Sequence, residues 1–247
     1  MKKIGIVGGI AWRSTVEYYA ALCRLSEQYF AEKGLRGVPP TPEITIESLD
    51  LRQVLSHMGK IGDEASWERF DAYHRDALTR LKNASVELAI IASNTPHHRF
   101  DTIAGGLGIP VLDIFSVIAR ESALLRFERV LILGTELTMS SVRFERAFLK
   151  YGVVPFAPNN QERLLVTALI GELQSGRSPG ADRLIGSVAR AAFLREAFAR
   201  PVVCLACTEL PLAFPNASGE SVFEIDGIRY LNTGAIHAKA AFELAVR

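Results

Sequence analysis

Short runs of apolar, often β-branched residues recur along the chain, separated by longer stretches whose apolar positions return every three or four residues. The short runs are Lys3–Val7, Glu43–Ser48, Leu88–Ala92, Val111–Ile114, Arg129–Gly134, Val153–Phe156 and Val202–Ala206, and their length predicts strands. The stretches between them have helical periodicity. Strand alternating with helix is the pattern of parallel strands joined by crossover helices, so the predicted fold class is α/β.

Two strand-to-helix junctions look alike. Leu88-Ala-Ile-Ile-Ala-Ser-Asn-Thr-Pro-His97 and Val202-Val-Cys-Leu-Ala-Cys-Thr-Glu-Leu-Pro211 each run from an apolar strand through a polar trio to a proline. Lys3-Ile-Gly-Ile-Val-Gly-Gly9 and Arg129-Val-Leu-Ile-Leu-Gly-Thr135 form a second matching pair. The repetition predicts two related halves, each a small open sheet. Ligands of such sheets sit beyond the carboxyl ends of the strands, where all four junctions fall, so the expected site is a cleft between the halves.

Composition narrows the possible partners. The 247 residues are 49% hydrophobic and 22% charged, enough for a substantial core, and 28 Lys plus Arg balance 27 Asp plus Glu to a net charge of +1. That leaves no field of one sign to recruit nucleic acid or anionic lipid, and points to a small ligand met locally. No segment approaches the roughly 20 apolar residues of a membrane span. The first apolar stretch stops at Gly8-Gly9, too early for a secretion signal, so the expected location is cytoplasmic. Three cysteines are too few for a disulfide framework and fit a reducing compartment. Gly34–Pro42 and Gly176–Gly180 read as surface loops.

Each junction carries residues suited to chemistry. In Gly8-Gly9-Ile10-Ala11-Trp12-Arg13-Ser14-Thr15-Val16-Glu17, Ser14 and Glu17 have the spacing of a capping box. The glycines admit a ligand close to the backbone, and the helix start offers N–H donors to an anion such as a carboxylate. A tight turn without a ligand accounts for the same residues. Thr95 is suited to cap a helix that starts at Pro96, leaving Ser93 and Asn94 at the exposed strand end. Cys207-Thr208-Glu209 repeats this arrangement, with Thr208 able to cap the next turn and helix N–H groups able to favour a Cys207 thiolate. The structural alternatives are turn residues at 93–95 and an inert core cysteine at 207.

Other chemistries fit less well. Cys204-Leu-Ala-Cys207 is formally a C-x-x-C, yet strand alternation sends the two thiols to opposite faces, and no second Cys/His pair has zinc spacing. The five histidines have no metal-binding spacing; His97 and His98 are secondary candidates for lining the cleft. Ser93 precedes histidines but is not in G-x-S-x-G, which argues against a hydrolase.

Taken in order, these segments resemble the aspartate/glutamate racemase family. Ile6-Val-Gly-Gly-Ile-Ala-Trp-Arg-Ser-Thr15 is similar to its opening, Ser93-Asn-Thr-Pro-His97 to its Cys-Asn-Thr-x-His, and Ala206-Cys-Thr-Glu-Leu-Pro211 to its Gly-Cys-Thr-Glu. Leu133–Met139 and Asn232-Thr-Gly-Ala-Ile-His-Ala238 also match, so the resemblance runs nearly end to end. It implies two Rossmann-like domains with parallel sheets related by pseudo-two-fold symmetry, here 1–113 plus 225–247 and 114–224. It also implies a homodimer, no cofactor, no metal, and a small dicarboxylic amino-acid substrate.

The resemblance assigns catalysis to Cys207 with Ser93 facing it, one group taking the α-proton and the other returning it. It assigns substrate binding to Gly9, Ile10, Ala11, Trp12, Asn94, Thr95, Thr138, Thr208 and Glu209. The chain departs from the family where Ser93 replaces the first cysteine, since a hydroxyl is a poor base. It also departs at Leu164, where relatives place a lysine for the distal carboxylate; Arg163 and Arg52 are the candidate substitutes. Asn232 and Arg13 replace acidic residues. The expected activity is cofactor-independent racemisation, the alternatives being a decarboxylase or isomerase of a small dicarboxylic acid, or a ligand-binding relative without turnover.

Overall fold

The computed structural model describes residues 1–176, 179–196, 200–217 and 219–247, and it divides into two compact units, Met1–Asp113 with His237–Arg247, and Ile114–Ile236. The loop expected at Gly176–Gly180 includes two residues, 177 and 178, outside that description.

The first unit contains β1 (Ile4–Gly8), α1 (Trp12–Glu32), β2 (Ile44–Ser48), α2 (Leu51–Ser56), α3 (Glu68–Asn83), β3 (Leu88–Ile91) and α4 (Phe100–Ala104). Its sheet is parallel, in the order β2-β1-β3, with Val7 beside both Glu47 and Ile91. Alternation divides the apolar residues between the faces: Ile4, Ile6, Leu88 and Ile90 pack with Tyr18 and Leu22 of α1. On the other face a side chain at Gly5 would meet Leu81 of α3 at 3.1 Å, so the missing Cβ lets the helix close on the strand. The strand expected at Val111–Ile114 is a single parallel bridge between Ala89 and Val111. Pro110 has no N–H to give, and Ile114 already opens a helix, leaving too few residues for a ladder.

The second unit contains α5 (Ile114–Leu124), β4 (Arg129–Gly134), α6 (Glu136–Met139), α7 (Val142–Leu149), β5 (Val154–Phe156), α8 (Asn160–Gln174), α9 (Ala181–Arg195), β6 (Val202–Ala206), β7 (Val222–Ile225) and β8 (Ile228–Asn232). The final helix, α10 (Thr233–Ala245), starts in this unit, and its Ala238, Ala241 and Phe242 join the first unit's core. The sheet order is β5-β4-β6-β8-β7, parallel except for the β7–β8 hairpin. Leu131, Leu133, Val203 and Leu205 form one face with α8 and α9; Val130, Ile132, Val202 and Cys204 form the other with α5 and α7.

Residues 225–236, expected with the first half, therefore lie in the second, because β8 pairs along β6 from Val202↔Arg229 to Leu205↔Asn232. Both sheets centre on one strand flanked by the next two parallel strands, β2-β1-β3 and β5-β4-β6, which is the internal repetition anticipated from the junctions. No helix among the described residues is long and apolar enough to cross a membrane.

Candidate active site

In the first unit the carboxyl ends of β1, β2 and β3 bring the Gly9, Ser48 and Ser93 segments side by side. Gly9 has φ of +80°, and a Cβ there would lie 2.1 Å from the Leu49 carbonyl oxygen. Its N–H donates to Thr15 Oγ1 at 2.9 Å, tying the glycine turn to the first turns of α1. The capping box expected of Ser14 and Glu17 does not form. Helix α1 starts three residues earlier, with Ala11 at the cap position, and Ser14 is buried inside it.

Ile10 is buried, whereas Trp12 is 63% exposed with the Arg13 guanidinium 4.5 Å over its ring. Arg52 is exposed in the first turn of α2, and its N–H donates to the capping Asp50 carboxylate at 2.8 Å.

Ser93 and Asn94 are buried at the end of β3, the Ser93 N–H donating to the Ile91 carbonyl at 2.9 Å. A 3₁₀ turn runs from Thr95 to Arg99 with Asn94 at its cap position, so the cap expected of Thr95 lies one residue earlier. Below it, His97 is fully buried, with Nδ1 3.2 Å from Asp113 Oδ1 and Nε2 3.4 Å from the Ile91 carbonyl oxygen. His237 stands edge-on to it, and its Nδ1 meets the Tyr18 hydroxyl at 3.0 Å while Nε2 meets the Leu112 carbonyl at 3.2 Å. A carbonyl only accepts, so Nε2 carries the His237 proton and Nδ1 accepts from Tyr18. Burial, helped by the nearby His97, pushes the His237 pKa down to about 3. This network holds the Ser93–Thr95 turn from beneath; the family motif includes His97, but Asp113 and Tyr18 carried no signal in the sequence.

In the second unit β4, β6 and β8 end together, with Gly134 beside Ala206 and Leu205 beside Asn232. A Cβ on Gly134 would come within 2.8 Å of the Ala206 carbonyl oxygen, and Thr138 packs against the same spot. The Thr233 hydroxyl donates to the Leu205 carbonyl at 2.9 Å, bracing the strand that delivers Cys207. Cys204 and Cys207 lie in opposite core clusters, as strand alternation requires, and all three cysteines are free thiols.

Cys207 is buried, and its thiol donates to Glu209 Oε2 at 2.9 Å. The Thr208 hydroxyl reaches the same oxygen at 3.4 Å. Burial pushes the Cys207 pKa well above its ordinary value, and the Glu209 charge and hydrogen bond push it further. The Glu209 backbone N–H does favour the thiolate, as expected of the turn, but burial and the Glu209 carboxylate outweigh it, and the turn at Leu210–Ala213 has Glu209 rather than Thr208 at its cap position. Glu209, expected among the substrate-binding residues, is here the hydrogen-bond acceptor of the thiol two residues before it.

Arg163 of α8 donates to Glu136 Oε1 at 3.1 Å, Ser140 Oγ at 2.8 Å and the Pro158 carbonyl at 3.0 Å. Its Nη1 and Nε are thus committed to the protein, leaving Nη2 with no partner among the described residues. Leu164 is 70% exposed.

Comparison with known proteins places these two constellations in context. The chain matches an aspartate racemase homologue from Pyrococcus horikoshii OT3 at 26% identity, with all of both chains covered and a TM-score of 0.77. It matches a putative Asp/Glu racemase from Yersinia pestis at 24% identity, again over all of both chains, with a TM-score of 0.81. An aspartate racemase from Picrophilus torridus matches at 17% identity over 99% of this chain and 94% of that one, with a TM-score of 0.69. The model of the Asp/Glu/Hydantoin racemase family matches residues 7–241, so the chain belongs to that family.

Proposed function

We propose that the protein is a racemase of an acidic amino acid that works without pyridoxal phosphate or metal, with Cys207 transferring the α-proton on one face and Ser93 serving the other. The observation that carries this reading is the Cys207–Glu209 pair. A thiol held at a raised pKa is rarely ionised, but once its proton passes to Glu209 the thiolate is a stronger base than an ordinary one, which abstraction from carbon requires. The thiolate then takes the α-proton, the Ser93 hydroxyl gives its proton to the opposite face, and the proton held by Glu209 returns to the Ser93 alkoxide through solvent. Asn94, Thr95, Thr138 and Thr208 supply donors for the substrate carboxylates, and Arg163 Nη2 or Arg52 a cation for the distal one.

Ser93 also favours a one-sided version of this chemistry. A hydroxyl releases a proton on demand from a carbanion but abstracts one poorly, so the same scaffold would suit single-face protonation after decarboxylation of a malonate-like acid. Release of CO₂ would identify that reaction.

A homodimer in the cytoplasm belongs to the same reading. Trp12, Val16 and Tyr19 are exposed at helical spacing on one side of α1, an apolar stripe for a second copy to cover, and three free thiols suit a reducing compartment.

The test is incubation with L- and D-aspartate and L- and D-glutamate in heavy water, following α-deuteration by NMR. Exchange should be fastest with one enantiomer and disappear in Cys207→Ala. Undiminished exchange in that variant would remove Cys207 from the mechanism.

A further inference from the structure

Far from Cys207, the amino-terminal ends of β4, β6 and β8 surround a cavity of about 860 Å³ whose walls carry Arg126, Arg129, Arg200 and Arg229 against Glu128 and Glu224. Every lining residue belongs to the second unit. Five steps along β6 separate Val202 on its wall from Cys207, about 17 Å at roughly 3.3 Å per residue.

The topology gathers the arginines. Parallel strands begin at one edge, and the register sets Arg229 beside Val202 while its N–H donates to the Pro201 carbonyl at 3.0 Å. Arg129 opens β4, and Arg200 lies two residues before β6. Arg126 is in the turn closing α5, at φ of 58°, a left-handed conformation for which glycine is the usual occupant.

Two of the four cations are already balanced. Arg129 pairs with Glu196 and lies over the Phe156 ring, and Arg229 pairs with Glu224 at 3.1 Å. Arg126 and Arg200 form no ion pair among the described residues, and with Glu128 on the same wall offsetting one of them the concave surface keeps an excess of positive charge, on a chain whose net charge is only +1. A solvated arginine face needs no cavity. The volume falls in the range of small-molecule sites, and guanidinium groups bind carboxylate and phosphate through paired N–H donors.

We propose that this cavity is a second binding site, remote from Cys207, for a small molecule carrying two anionic groups, with Arg126 and Arg200 supplying the unpaired charge that selects it. The site does not depend on the identity of the reaction at Cys207.

The test is calorimetric and thermal-shift titration of the full chain with pyrophosphate and, separately, with tricarballylate, at matched low ionic strength against sodium chloride. Wild type should bind at least one probe saturably. Arg126→Ala/Arg200→Ala, both exposed, should keep the unliganded melting temperature and bind about tenfold more weakly or worse, since each charge-assisted hydrogen bond lost is worth about that factor. A stronger response to pyrophosphate would assign a phosphorylated ligand, and a stronger response to tricarballylate a carboxylated one. Arg126→Gln/Arg200→Gln gives the same comparison if the alanine variant fails to fold. Failure of wild type to bind either probe saturably, or unchanged binding by a folded variant, would overturn the proposal.

Discussion

The Cys207 thiol, just beyond the end of β6, donates a hydrogen bond of 2.9 Å to Glu209 Oε2, two residues further on. Burial and the Glu209 charge both act to keep that proton on sulfur. Glu209→Gln removes the charge and leaves the burial. The Cys207 pKa should therefore fall yet stay above that of an ordinary thiol. Iodoacetamide labelling followed by peptide mapping, which separates Cys207 from Cys23 and Cys204, should show its alkylation midpoint moving to lower pH. Substrate α-exchange should fall by about 10²–10⁴, the usual contribution of a positioned base. An unmoved alkylation midpoint would mean that Glu209 does not act on the thiol.

The glycine turn after β1 gives a second prediction. Gly9 combines a positive φ with a Cβ position 2.1 Å from the Leu49 carbonyl oxygen, and that obstacle is backbone rather than a side chain that can swing away. Gly9→Ala should lower the melting temperature by the equivalent of about 1–3 kcal/mol, the cost of a strained residue. Activity should fall with it, because the turn carries Ile10 and Ala11. A melting temperature equal to wild type would show that the turn tolerates a side chain.

The alternation of apolar runs with helical stretches and the repeated polar trios made the α/β class and the halves' common plan legible. The β7–β8 hairpin has a local signal, Asp226-Gly227 at φ of 50° and 73° between two apolar runs, but the parallel pairing of β8 with β6, twenty-odd residues earlier, has none, since nothing in Ile228–Asn232 alone announces such a neighbour. At Cys207 local chemistry gives only one of two opposing effects. The sequence displays the turn and its N–H groups, but only the fold shows the Glu209 carboxylate folded back onto the thiol. The support under Ser93 was hidden for a related reason, since Tyr18, His97, Asp113 and His237 converge from four separate segments.

His74 makes stability depend on pH. It is fully buried in α3, with Nδ1 2.8 Å from the Phe70 carbonyl oxygen and Nε2 without a hydrogen-bond partner among the described residues, and burial pushes its pKa down to about 4. The folded state thus holds the neutral ring while the unfolded chain takes up a proton near the ordinary value of 6.5. Stability from this group is present above that value and is lost as pH falls towards 4, to a total of about 3 kcal/mol. His74→Leu, which leaves no buried polar atom unpaired, should melt near wild type at pH 7 and progressively above it as the pH is lowered. Parallel melting curves from pH 7 to pH 4 would place the acid sensitivity elsewhere, with His237 the next group to change.

Restoring a thiol at the other candidate catalytic position tests the direction of the reaction. Ser93 is buried at the end of β3 with its backbone held by the Ile91 carbonyl and its turn braced from below by His97, so the position is built to hold a side chain in one place. What it lacks is acidity. A hydroxyl stays protonated at neutral pH and offers almost no alkoxide as a base, so under the proposed mechanism the Ser93 face can receive a proton but can hardly lose one. Ser93→Cys should leave KM nearly unchanged, since no substrate-binding group is altered, and should raise exchange from the slow enantiomer by about tenfold or more, each unit of better-matched pKa being worth up to that factor. Net conversion of L to D and D to L, followed by circular dichroism, should then approach equal rates. If a folded Ser93→Cys protein stays as one-sided as wild type, Ser93 does not serve the second face, and the proton there comes from another residue or from water.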